Sequence, residues 1–178
     1  AASDVYKRQD YHGAYTATEY LIQTGCHRIY FYQADPHLEI SKNRRNGYMD
    51  AMKRHGMKVM EDMIVWCDTR EKAMQITPKL LQEPNRPDAF FAINDDTAAG
   101  ILHACKQLGV KVPEEISICG FSDDKIARST DPELTTVEQR GEEVGRSAFE
   151  ILLEKIEGKE GGKNRIVKTN LLIRGTTK

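Results

Sequence analysis

The stretch Ala89-Phe90-Phe91-Ala92-Ile93-Asn94-Asp95-Asp96-Thr97-Ala98-Ala99-Gly100-Ile101-Leu102 decides how the whole chain reads. Pro87 precedes it, and its first five residues form an unbroken apolar run. Such a run predicts a strand over Ala89 to Ile93 that is buried on both faces. The polar residues that follow change the period. Asp95 or Asp96 is placed to cap a helix that turns Ala98, Leu102 and Cys105 inward, runs to about Leu108 and closes at Gly109. A buried strand running directly into a helix is one half of a strand–helix–strand unit, and the same alternation extends in both directions.

Toward the N-terminus, Tyr11 to Thr24 reads as a helix with Ala14, Ala17 and Leu21 on one face and Gly25 at its stop. Arg28 to Tyr32 reads as a strand. Glu39 to His55 is a helix with Tyr48, Met49 and Met52 at helical spacing, and Gly56 ends it. Met63 to Trp66 is a second strand. Glu71 to Gln82 is a helix in which Pro78 predicts a kink. Toward the C-terminus, Ile116 to Cys119 is a strand and Gly120 opens a loop. Leu134 to Val137 is a short extended piece. Glu142 to Glu157 is a patterned helix carrying Val144, Ala148, Ile151, Leu152 and Ile156. Gly158 to Lys163 is a polar turn, and Ile166 to Arg174 is a last extended segment. Repeated alternation of this kind predicts an α/β fold, a doubly wound parallel sheet with helices on both faces. In open sheets of this class ligands bind at the carboxyl ends of the strands. The loops to watch are therefore Tyr32 to Glu39, Cys67 to Arg70, Asn94 to Thr97 and Gly120 to Arg128.

Composition narrows the function classes. The chain has 178 residues, 39% hydrophobic and 30% charged, which suits a globular domain with a real core. Its 26 Lys+Arg against 27 Asp+Glu leave a formal net charge of −1. That balance lacks the basic excess of a nucleic-acid-binding module, so any DNA contact belongs to residues outside this chain. No apolar run is long enough to predict a transmembrane helix. Ala1 to Gln9 does not read as a signal peptide. Cys26, Cys67, Cys105 and Cys119 sit far apart with no C-x-x-C pair. Disulfides or a zinc site stay open in principle, and four reduced thiols in a cytosolic protein is the favoured reading. The histidines His12, His27, His37, His55 and His103 form no ligand-spaced set, so no metal is expected. No G-x-G-x-x-G follows a strand and no G-x-S-x-G or Cys–His pairing occurs. Neither a cofactor nor an enzyme activity is expected.

Several segments together carry a family resemblance. These are Asp10-Tyr11-His12-Gly13-Ala14 with Ala17 to Ile22; Arg44-Arg45-Asn46-Gly47-Tyr48 with Ala51-Met52; and Phe90 to Asp95 with Ala98 and Gly100. Val112 to Phe121, Asp131 to Gln139 and Leu172 to Thr177 complete the set. In this order and spacing the chain resembles the ligand-binding domain of the lactose-repressor family, a periplasmic-binding-protein-like lobe. The resemblance covers Asp10 to Thr177. It implies a helix-turn-helix head, a hinge and a first lobe that are not represented here. On that reading residues 1–9 are a non-native or unmatched leader, 10–138 form the C-terminal lobe, 139–164 hold a crossover helix belonging to the other lobe, and 165–178 are the closing strand and tail.

The resemblance also implies site residues. Arg44, three residues before Gly47, stands where the family keeps a ligand arginine; the competing reading is an exposed arginine on a basic helix face with Lys42, Arg45 and Lys53. Asn94 matches a ligand asparagine at a strand end, and the competing role is a turn or helix entry. Asp95 reads as a cap. The Gly120-Phe121-Ser122-Asp123-Asp124 loop departs from the family, which commonly has Gly-aromatic-Asp there. Ser122 hydrogen-bonds a hydroxyl without the charge-assisted strength of a carboxylate; Asp123 replaces the carboxylate only if the loop shifts, and otherwise Asp123 and Asp124 are solvated turn residues. Gln139 matches a residue that touches ligand at the crossing between lobes, with a hinge hydrogen bond as the competing role. Thr69 falls nearer a contact position than Trp66, which reads as core.

The expectation is the effector-sensing part of a bacterial, cytoplasmic transcriptional repressor. Its partners are a small-molecule effector (a sugar or sugar phosphate), a second copy in a homodimer, and operator DNA reached only through the separate head. It has no membrane partner. A periplasmic sugar-binding protein of a transporter is the alternative.

Overall fold

The computed structural model describes residues 2–158 and 167–178. Helix α1 (Ala2–Gln23) leads into β1 (Ile29–Gln33), α2 (Glu39–Arg54), β2 (Ile64–Trp66), α3 (Arg70–Leu81), β3 (Ala89–Ala92), α4 (Asp95–Gln107), β4 (Ser117–Ser122), α5 (Lys125–Ser129), β5 (Thr135–Glu138), α6 (Gly141–Ile156) and β6 (Asn170–Leu172). The strands form one sheet in the order β2-β1-β3-β4-β5-β6. All neighbours run parallel except β5 and β6, which are antiparallel. The expected parallel sheet is thus a mixed one, closed at one edge by a reversed strand. The chain winds outward from β1 to β2, then returns across β1 to β3. This makes β1/β3 the switch point of the sheet, the place where open α/β folds build ligand sites.

Strand alternation explains the two layers of helix. Phe31 of β1 stacks on Tyr48 of α2 at 5.4 Å and on Phe91 of β3 at 5.2 Å, and Phe91 lies 6.4 Å from Phe121 of β4. The alternate residues face the other way. Tyr32 meets Phe90 edge-on at 5.3 Å, and its hydroxyl lies 3.0 Å from the Thr77 hydroxyl on α3. So α1 and α2 cover one face, and α3 and α4 cover the other. β1 and β3 are buried at every position, which is why they read as continuous apolar runs.

Within each layer the two helices touch at a glycine. A Cβ on Gly47 of α2 would lie 2.3 Å from the Tyr11 carbonyl oxygen and 2.9 Å from the Tyr15 nitrogen of α1. A Cβ on Gly100 of α4 would lie 2.5 Å from the Arg70 carbonyl oxygen at the start of α3. Backbone lies against backbone at both points, so no side-chain movement relieves a larger residue.

Four expectations change. The first helix does not begin at Tyr11; it extends back to Ala2, and Gln9 is buried with its side-chain amide donating to the Val167 carbonyl. β4 runs on through Gly120 to Ser122, and the loop after it contains the short helix α5. Trp66, expected in the core, is 58% exposed, because β2 is the outermost strand and Trp66 ends it. Neither Asp95 nor Asp96 caps α4; Asn94 does, its Oδ1 accepting from the Thr97 amide at 2.8 Å. The polar turn beyond Gly158 and the start of the last extended segment lie outside the described residues. All four cysteines are free and buried, and burial pushes the Cys67 and Cys105 thiols up to about 12.

The glycine contact gives a signed test. Gly47→Ala must separate α1 from α2 and is expected to cost about 1–3 kcal/mol. Gly145→Ala, on α6 where no atom of the described residues lies within 4 Å of the new Cβ, should stabilise by about 0.5–1 kcal/mol through helix propensity. Urea unfolding midpoints of the two variants should move in opposite directions.

Candidate functional site

The carboxyl edge of the sheet is where the candidate residues come together. Arg44, half a helix along α2, is not on an exposed basic face: it is 2% exposed. Its Nε and Nη2 donate to Asp10 Oδ1 at 2.9 and 2.8 Å. Nη1 donates to the Ile93 carbonyl at the end of β3. The guanidinium carbon sits 3.5 Å from the centre of the Phe121 ring, a desolvated cation–π contact. A guanidinium has five N–H groups, and these bonds use three. The charge therefore sits beneath the β1/β3 switch point with donors to spare.

Asn94 follows β3 at once. Its oxygen caps α4 and its Nδ2 donates to the Asp68 carbonyl at 3.2 Å, tying the β3 end to the β2 end. The helix-entry role is thus occupied, and the amide remains half-buried at the edge. Thr69 also caps a helix, its Oγ1 accepting from the Lys72 amide of α3 at 3.3 Å. Asp96 reaches sideways to the same helix start, accepting from the Arg70 amide at 3.0 Å.

Asp95, fully buried, takes a role that sequence reasoning missed. Its Oδ1 accepts from the Thr136 hydroxyl of β5 at 2.5 Å, and its Oδ2 accepts from the Asp124 amide at 2.8 Å. It anchors the loop after β4 from below. Burial raises its pKa, opposed by the bonds from Thr136 and the Asp124 amide. The only sequence signal was a second acidic residue beside the cap.

Ser122 and Asp123 have φ angles of 123° and 59°, both in the left-handed region that L-residues rarely adopt. Ser122 ends β4 half-buried. Asp123 is not a solvated turn residue: its carboxylate is 4% exposed, held by Arg128 at 2.5 Å and Arg174 at 2.6 Å. Burial pushes this carboxyl up, but the hydrogen bonds and charges of the two arginines outweigh it and hold it below its ordinary value of 3.8. Asp124 is exposed, as expected for a turn. Gln139 directly follows β5 and is half-buried. A cavity of about 690 Å³ opens beside these strand ends, lined by Ser122, Asp123, Arg128, Glu138, Arg140 and the first turns of α6. Arg44, Asn94, Thr69, Ser122 and Gln139 thus all lie along the one edge. Asp123 lies there too, turned into its arginine pair.

The comparisons with known proteins follow this geometry. The family description of a periplasmic binding protein-like domain matches residues 18–177. A curated relative, the HTH-type transcriptional repressor PurR of Vibrio vulnificus, is 34% identical over 171 residues, covering 93% of this chain and 50% of its own length. Among solved structures, a LacI-family regulatory protein from Chloroflexus aggregans superposes with a TM-score of 0.89 at 28% identity, covering 96% of this chain and 62% of that one. A sugar-binding LacI-family regulator from Escherichia coli, complexed with phosphate, superposes at 0.86 with 28% identity over 94% and 61%. A doubly wound lobe with a polar carboxyl edge is the periplasmic-binding-protein class of ligand-binding fold. The chain belongs to that family, as an effector-binding domain of the LacI/GalR type. It spans about half the length of the curated relatives it matches.

The Asp123 pair makes a prediction about pH. A carboxyl whose folded pKa is depressed contributes stability above its unfolded pKa and loses it as pH falls through the folded value. Asparagine tolerates the left-handed backbone, so Asp123→Asn isolates the charge. It should cost about 2 kcal/mol near neutral pH, and the gap to the parent should close below pH 3.8. Urea titrations at a series of pH values read both; a gap that stays constant would mean that the charge of Asp123 does not contribute.

Proposed function

We propose that this chain is the effector-sensing lobe of a bacterial transcriptional repressor that acts in the cytoplasm, and that its effector is a small hydroxylated molecule, a sugar or sugar phosphate. The observation that carries the reading is the pre-fixed polar edge at the switch point. Arg44 has unspent N–H groups beneath it, and Asn94, Ser122, Gln139 and Thr69 flank it. Hydroxyls donate and accept at once, so they match a ring of amides, a hydroxyl and a guanidinium. The phosphate-bound, sugar-binding relative is consistent with this class of ligand.

The ligand sits, on this reading, between this lobe and a second one. Support comes from α6, the helix of the segment 139–164. None of its residues is buried, and Phe149, Leu152 and Ile156 are 60%, 53% and 72% exposed. An apolar face of that size seeks cover, and a second lobe supplies it. Effector binding then favours one arrangement of the lobes, and the difference in affinity between arrangements sets the DNA affinity of a helix-turn-helix head in a homodimer. The formal charge of −1 fits a sensor whose DNA contacts lie elsewhere.

A thermal-shift screen of neutral sugars, sugar phosphates and nucleobases on the full-length regulator tests this. A binder at 100 times its Kd stabilises the folded state by about 2.7 kcal/mol. Gln139→Ala and Ser122→Ala, which spare the Arg44 core, should each weaken the hit about tenfold, or about 1.4 kcal/mol. A nucleobase as the only hit would overturn the ligand class. A sugar hit indifferent to both variants would overturn the site.

A further inference from the structure

A second polar recess lies on the outer flank of α2 and reaches the carboxyl end of β1 at Gln33 and Pro36. Next to Arg44, Arg45 points the other way along the helix. A cavity of about 340 Å³ is lined by Gln33, Pro36, Lys42, Arg45, Asn46 and Met49. It continues into one of about 430 Å³ that shares Gln33, Pro36, Arg45 and Met49 and adds Val59, Met60, Glu61 and Ile64. The recess runs from the surface of α2 to the edge strand β2.

Its polar atoms are left in an unusual state. Gln33 ends β1 with 8% exposure, and its Oε1 is buried without a hydrogen-bond partner among the described residues. Arg45 Nε is likewise buried without a partner. Leaving a buried donor or acceptor unmade costs about 1–3 kcal/mol each, and native folds hold few such atoms. Gln33 and Arg45 line the same recess, so a small rotation of each side chain lets one bound polar molecule pair with both. Lys42 makes a 3.3 Å surface pair with Glu39. Such exposed pairs are weak, so its flexible ammonium can turn inward.

The charges are ordered along the recess. Lys42, Arg45 and Asn46 make one end donor-rich and cationic. Glu61 places a carboxylate at the other end, among Met49, Met60, Val59 and Ile64. From this we infer that the recess is a second ligand site, distinct from the Asn94, Ser122 and Gln139 stretch of the carboxyl edge, for a small organic anion with a phosphate or carboxylate head on a short hydroxylated carbon chain. The head meets Arg45 and Lys42, where a guanidinium matches an oxyanion better than water does. A hydroxyl donates to Gln33 Oε1. The chain lies against Met49 and Met60, and Glu61 accepts a terminal hydroxyl while excluding a second anionic group. This inference does not depend on the effector reading above.

The probe is glycerol 3-phosphate, with glycerol and inorganic phosphate as controls, titrated calorimetrically into the protein. Saturable binding of glycerol 3-phosphate is expected, at least tenfold tighter than either control. Arg45→Met, which keeps the stem and removes the charge, should weaken it at least tenfold. Gln33→Met should weaken it several-fold while leaving the thermal midpoint of the empty protein unchanged or raised, since it deletes an unpaired buried acceptor. Gln139→Ala should leave this binding intact. Four results would overturn the proposal: no saturable binding; binding lost in Gln139→Ala but kept in Arg45→Met, which places it at the Asn94, Ser122 and Gln139 stretch of the carboxyl edge; inorganic phosphate binding as tightly as the probe; or a lowered midpoint in empty Gln33→Met with binding retained, which makes Gln33 a packing residue only.

Discussion

The buried guanidinium of Arg44 is the point on which the structure turns. It bonds Asp10 of α1 and the Ile93 carbonyl after β3, and it lies on Phe121 of β4 while belonging to α2. Four elements from distant parts of the chain are thereby fixed to one charge. An arginine suits this place for geometric reasons: its planar fork bonds a carboxylate, a carbonyl and a ring face at once, which the point charge of lysine does not. Removing one member of such a pair leaves the other charge buried alone, at a cost of about 3–5 kcal/mol. The close approach of α1 and α2 at Gly47 belongs to the same constraint. Gly47 lies one turn along α2 from Arg44, and backbone contact there brings Asp10 within reach.

The other loops of the carboxyl edge are held by a different device, in which polar side chains close the N-terminal turns of helices. Asn94 caps α4, while Thr69 and Asp96 serve the start of α3, and Asp95 holds the amide that precedes α5. Orphan helix amides need partners, and satisfying them with side chains from neighbouring strand ends ties the loops to one another. Asn94 does this twice, since its amide group also bonds the Asp68 carbonyl. An edge tied in this way has little freedom left to lose when a ligand binds, which favours affinity. It also means that movement of one loop is felt by the next.

The layered sheet was legible in the sequence because parallel strands are buried on both sides, so β1, β3 and β4 stand out as apolar runs between helices of clear period. The departures share a cause: they depend on partners remote in sequence. Nothing in Asn170–Leu172 encodes that β6 runs antiparallel to β5. The five residues of α5 bury only Ala127, too few to set a period. Trp66 looks like core until β2 proves to be the edge. Arg44 among Lys42, Arg45 and Lys53 looks like a charged surface, and its burial rests on Asp10, 34 positions away. Asp123 looks like a turn until Arg174, 51 positions on, is folded against it. The family resemblance pointed to residues that the structure sets along the carboxyl edge, and it shows two of them, Asn94 and Thr69, acting as helix caps.

That double duty bears on what the edge can recognise. Where the family resemblance implies an aspartate, this chain has Ser122, and the adjacent carboxylate is already spent: Asp123 is bound on both oxygens by Arg128 and Arg174. Freeing it would leave two arginines and a strained loop without their partner, so it does not substitute for the missing charge at small cost. Asp95 is committed beneath the loop in the same way. The positive charge of Arg44 is balanced by Asp10. Of the residues that the family resemblance points to, those left are dipolar, an amide at Asn94, a hydroxyl at Ser122 and an amide at Gln139, over a guanidinium whose charge is balanced by Asp10 but whose N–H groups are not exhausted. On the proposed function, these groups select by hydrogen-bond direction more than by net charge. Discrimination then comes from leaving a buried donor or acceptor unpaired when a ligand lacks the matching hydroxyl, a penalty that separates near-isosteres more sharply than added apolar contact does.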